Sequence, residues 1–178
     1  MSETKHWPYR PICLSDIIPE KDLQVLQSGC CDRLERPLTL LDRDPISGDF
    51  TRRINPLDEV DHYEPFCRLL RDTSRVEGGN VACLQCDLRE ARRSLTYFLD
   101  APSGEKQNRL SRVFKCHMGL QDLTYLICIS DMPVAIIFSG QYCPGEGFAE
   151  IRDRVQRLGT SEYEGFGLPV VEGMGCRS

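Results

Sequence analysis

The sequence predicts an α+β domain, a five-stranded antiparallel sheet with flanking helices. Three observations carry this expectation. Leu84, Leu88, Ala91, Leu95 and Phe98 recur at helical spacing, while Arg89, Glu90, Arg92 and Arg93 take the opposite face. Downstream, "RVFKCH", "LTYLICIS" and "PVAIIFSGQ" are consecutive runs rich in Val, Ile, Phe, Tyr and Thr, the last two joined by a tight "SDMP" connection. Upstream, "PLTLLDRDPISGDFTRRIN" sets two short extended runs around the turn-rich "DRDPISGD", which is a hairpin signal.

The elements follow in chain order. Residues 19–35 open with Pro19, suited to a first helical turn, and place Leu23, Leu26, Cys30 and Leu34 on one stripe until Pro37 stops the helix. On that stripe Cys30 faces the core and Cys31 is incidental. After the hairpin, "DEVDHYEPFCRLLRD" suits a short helix with Phe66, Leu69 and Leu70 on one side and Cys67 aboard. "RVEGGN" breaks the chain, Asn80 is the expected N-cap of the long helix, and Cys83 and Cys86 fall in its first turn. The three strands come next. A last helix is expected at 146–158, where Phe148, Ile151, Val155 and Leu158 form a stripe. The helices should lie mainly on one face of the sheet, and their insertion after the second strand is the layout of a PAS-like sensor.

Composition narrows the function classes. A chain of 178 residues with 40% hydrophobic and 28% charged residues is long enough to bury a core without disulfides or metal. Its formal charge of −5 argues against a surface built for a phosphate backbone, and "REARR" reads as a solvated helix face. No nucleic-acid partner is expected. The amino terminus lacks a continuous apolar h-region and the apolar runs are too short to cross a bilayer, so no membrane contact and a cytoplasmic location are expected. Glycine pairs such as "GEG" and "GFG" have no context for a phosphate cradle, and no nucleophile elbow or metalloprotease helix occurs. An enzyme is not expected.

The cysteines carry the information, ten of them against three histidines. In a reducing cytosol they are buried small hydrophobes, metal ligands or reactive thiols. "FKCHMGL" sets Cys116 beside His117, but neighbours on a strand point to opposite faces, which argues against a catalytic couple unless the chain turns at Gly119. If the strand ends there, both can serve one cavity. "CLQC", with Cys67 and Cys116, supplies four thiolates that a zinc ion or an iron–sulfur cluster could use as ligands, Cys67, Cys83, Cys86 and Cys116. Thiols in a first helical turn should be readier thiolates, which would also suit a nucleophile at Cys83 or Cys116. Cys128 reads as core, His6 and His62 as surface, and Cys13, Cys143 and Cys176 carry no pattern.

Taken together and in order, "EPFCRLLRD", "CLQCDLREAR", "FKCHMGLQDLTYLICIS" and "VAIIFSGQ" resemble the PocR-type sensory domain, a PAS-related ligand-binding module of bacterial signalling proteins. The resemblance runs from the opening helix to Gln141. It implies a pocket for a small hydrocarbon derivative such as a short diol, lined by Cys67, Cys83, Cys116, His117 and Gln141, with Cys86 at a variable position where cysteine is common; Phe66, beside Cys67, joins them. The expected domain spans 15–158, between an N-terminal tail at 1–14 and a flexible C-terminal tail at 159–178. Such domains typically precede an output domain, for which no room follows the last helix. The expected partners are therefore a small-molecule ligand and either a separate signalling output protein or a second copy met through the C-terminal helix.

Overall fold

The computed structural model describes residues 11–34, 38–54, 65–72 and 78–142. The expected helix at 146–158, both tails beyond these limits, His6, His62, Cys143 and Cys176 lie outside the described residues. Three α-helices, α1 (Glu20–Leu34), α2 (Pro65–Arg71) and α3 (Gly79–Leu99), accompany five strands. The strands are β1 (Leu38–Arg43), β2 (Phe50–Arg53), β3 (Ser111–Lys115), β4 (Gln121–Ile129) and β5 (Met132–Tyr142). They form one sheet in the order β2-β1-β5-β4-β3 with every neighbouring pair antiparallel. The α+β architecture with a five-stranded sheet is as the sequence predicts, and it is consistent with a PAS-like sensory domain.

The apolar pattern explains where the layers sit. Alternate residues of a strand point to opposite faces, and β1 is buried at every position while β5 runs apolar through Val134–Phe138, so both need cover on both sides. On one face Leu41, Phe50, Phe114, Leu126, Ile136 and Phe138 pack with Cys86, Ala91 and Phe98 of α3. On the other, Leu40, Val134 and Ala135 pack with Leu23 of α1 and with Leu14, which sits in a short 3-10 turn at Leu14–Asp16. Helices thus cover both faces of β1 and β5, where the sequence pointed mainly to one. Each fully buried Leu or Phe in these layers contributes roughly 1.5–3 kcal/mol.

Three helix expectations are corrected. In α1 the buried residues are Leu23, Gln27 and Cys31, whereas Leu26, Cys30 and Leu34 are exposed. The helix is rotated because the Gln27 side-chain amide donates to the Leu38 carbonyl at 2.5 Å, a buried bond that hydrophobicity alone does not foresee. In α3 the N-cap is Gly78, whose left-handed φ of 71° turns the chain into a helix beginning at Gly79, so Cys83 and Cys86 lie beyond the first turn. The inward face of α3 also carries Glu90 and Ser94, while Leu84 is exposed. Glu90 is buried with Arg89 and Arg93 bonded to one carboxylate oxygen, at 3.1 and 2.7 Å, and Arg112 to the other. A neighbouring hydrogen bond of 2.7 Å joins Ser94 to Thr124.

Candidate functional site

The site forms where three elements meet at one end of the sheet. β3 ends at Lys115, and "CHMGL" becomes a tight turn: the Cys116 N–H donates to the Leu120 carbonyl at 2.8 Å and the Gly119 N–H to the Cys116 carbonyl at 3.0 Å. Gly119 has a φ of 92°, a backbone state open to glycine at little cost. Because the strand has ended, alternation no longer separates Cys116 from His117. The imidazole Nε2 of His117 reaches the Cys83 sulfur on α3 at 3.2 Å.

The C-x-x-C pair of α3 holds this turn at two points. Cys83 meets the His117 ring, and the Cys86 sulfur receives the His117 backbone N–H as well as a bond of 3.4 Å from Arg89. Cys116 in turn accepts backbone N–H groups from Met118 and Leu120. Cys67, on α2, is close enough to Cys116 and Cys83 for their charges to be felt at its own sulfur. The short helix α2 is fixed against α3 by Arg71, whose Nη2 lies 2.7 Å from an Asp87 oxygen, and Arg53 of β2 approaches the same oxygen at 3.8 Å.

Electrostatics oppose the expected thiolates. Burial pushes the Cys83 thiol up to about 11 and the Cys116 thiol to about 12, and it raises Cys67 and Cys86 as well. The helix dipole does not rescue Cys83, which lies past the first turn where that field acts. These thiols stay protonated near neutral pH. Among the described residues, no three or more His, Cys, Asp or Glu side chains are grouped so as to hold a metal ion. The arrangement of Cys67, Cys83, Cys86 and Cys116 gives no support to a zinc or iron–sulfur centre.

Two carboxylates and two arginines of this region escape sequence reasoning: Asp87, Asp122, Arg53 and Arg71. Asp122 begins the inward stripe Asp122, Thr124, Leu126 of β4, a position where an apolar residue is the ordinary choice. A charged residue in the inward register of an otherwise apolar strand was the available signal. Opposite it, the pairing of β4 with β5 slips by one residue, matching Gln121 with Tyr142 and Asp122 with Gly140. Gln141 is the extra residue of this bulge, a device that redirects chain next to functional sites. The side chains of Gln141 and Phe66 lie outside the described residues.

A family model described as "Sensory domain found in PocR" matches residues 16–166. The chain belongs to this family. The PocR match spans every helix and strand from α1 to β5 and includes the Cys116–His117 turn. No curated protein and no solved structure matches the chain. A groove along the solvent side of α3, lined by Arg89, Arg92, Arg93, Tyr97 and Arg109, lies apart from the turn. Its arginines are engaged by Glu90, Asp49 and Glu105, in keeping with a solvated face. Among the described residues no helix is long and apolar enough to cross a membrane.

Proposed function

We propose that this PocR sensory domain binds a neutral small molecule, a hydrocarbon derivative such as a short diol, between α2, α3 and the Cys116–His117 turn, and that it does so for bacterial signal transduction without catalysing a reaction. The observation that carries this is the 3.2 Å contact between Cys83 and His117, made across 34 residues of sequence by a turn that ends β3. It draws side chains from separate elements to one place, the arrangement a ligand needs if its binding is to move one element against another. Thiols held in the protonated state favour a neutral guest over a metal ion and make poor nucleophiles. Phe66 and Gln141, which flank this region in the chain, complete the proposed contact set.

The bound state would pass to a separate signalling protein, or to a second copy through residues 146–158, in a cytoplasmic setting. Binding must raise the melting temperature by mass action. Propane-1,2-diol at millimolar concentration is expected to raise it for the parent protein and to leave it unchanged for Cys116→Ala and His117→Ala. An equal rise in both variants would remove the site from consideration.

A further inference from the structure

Asp122 has the placement of a ligand group rather than of a structural one. It is buried on the inward face of β4, and among the described residues its Oδ1 accepts only the short-range backbone N–H of Leu123, at 3.0 Å. That bond joins sequence neighbours and ties no two elements together. Among the described residues the other buried carboxylates are different: Asp42 accepts from Leu14 and Ser15, and Glu90 accepts from Arg112. Opposite Asp122, the β5 backbone comes so close that a Cβ on Gly140 would lie 3.1 Å from Oδ1, so Gly140 itself sets no side chain against the carboxyl.

The groups near enough to Asp122 for charge to be felt between them are those of the proposed sensory site. Cys67 and Arg71 come from α2, Asp87 from α3, and Cys116 from the β3–β4 turn. Resting on the ligand-sensing function proposed above, we propose that Asp122 contacts the ligand through its carboxyl group and couples ligand occupancy to the uptake of a proton. A protonated carboxyl donates one hydrogen bond and accepts another, which matches a hydroxyl group. Burial, and then the nearby Asp87, push its carboxyl up to about 7, against the pull of the Leu123 N–H and Arg71. A ligand that seats over it removes more water and so favours the neutral form further.

Titration calorimetry of the full chain with propane-1,2-diol between pH 6 and pH 9 tests this. The dissociation constant is expected to rise by about tenfold per pH unit above neutrality in the parent protein. It should be independent of pH in Asp122→Asn, which keeps the acceptor for the Leu123 N–H. Diol binding that is lost in His117→Ala but is flat with pH in the parent would overturn the coupling and leave the ligand site standing. Binding equally pH-dependent in Asp122→Asn would assign the proton to another group. No binding at any pH would remove both proposals. Independently of any ligand, the Asp122 carboxyl carbon should titrate near neutral pH by nuclear magnetic resonance, and a midpoint in the ordinary carboxylate range would overturn the inference by itself.

Discussion

The Cys83 sulfur and the Nε2 atom of His117 lie 3.2 Å apart, joining the second turn of α3 to the loop that ends β3. Cys83 is buried, so either partner left alone would lose a hydrogen bond with little water to replace it. Cys83→Ala and His117→Ala should each lower the unfolding free energy by about 1–2 kcal/mol. The double variant should cost less than the sum of the two, with a coupling of roughly 0.5–1 kcal/mol in urea titrations. Strict additivity would mean that the contact contributes nothing.

The raised thiols predict an alkaline limit to stability. A group whose folded value lies above its unfolded value stabilises the fold fully below the unfolded value, and the gain is lost as pH rises through the folded value. For Cys83 and Cys116 that window opens near the ordinary thiol value of 9.0 and closes at about 11 and about 12. Denaturation midpoints should therefore fall above pH 9, separately from the loss that the raised Asp122 carboxyl completes near pH 7. Cys83→Ala should lessen the fall. In the same experiments iodoacetamide should reach the exposed Cys30 quickly and Cys67, Cys83 and Cys116 slowly near neutral pH.

Glu90 predicts the opposite end of the scale. Burial would raise its carboxyl, but hydrogen bonds from Arg112 and Arg89 and the charges of Arg112 and Arg93 outweigh this and lower it. A lowered value contributes stability that is present above the unfolded value and is lost as pH falls through the folded one. Because Arg89 and Arg93 are more than half exposed and regain water when released, Glu90→Gln should cost only about 1–3 kcal/mol. It should also flatten the acid limb of a stability profile below pH 5. An unchanged acid limb would show that other carboxylates govern it.

Strands β3, β4 and β5 are legible from their β-branched and aromatic runs, and the helix α3 from its long apolar period. The rotations of α1 and α3 were not, because Gln27 and Glu90 count as surface residues until their distant partners are known. Gln27 needs Leu38, and Glu90 needs Arg112 from another element. The cysteine and histidine of "CHMGL" stood out in the sequence, but their geometry hinged on where β3 ends. Gly119 marked that possibility without deciding it. An acidic residue is visible inside "QDLTYLICI", but the face that Asp122 takes follows only once the pairing of β4 with β3 and β5 is fixed.

Gly140 offers the most local test of that register. Its φ of 140° lies where side chains are rarely tolerated, and a Cβ would meet the Asp122 Cα at 3.0 Å and the Gln121 carbonyl at 3.2 Å. Neither backbone contact can yield without moving a strand, so Gly140→Ala should destabilise the fold by about 1–3 kcal/mol. Moving β4 away from β5 here would also shift Asp122 and, through β4, the Cys116–His117 turn. Gly140→Ala should accordingly raise the reactivity of Cys116 toward iodoacetamide at pH 8 even in the fraction that remains folded. Gly104→Ala, where an added Cβ meets nothing within 4 Å, serves as the control and should change neither stability nor thiol reactivity. If Gly140→Ala behaves like this control, the close approach of β5 to Asp122 does not shape the site.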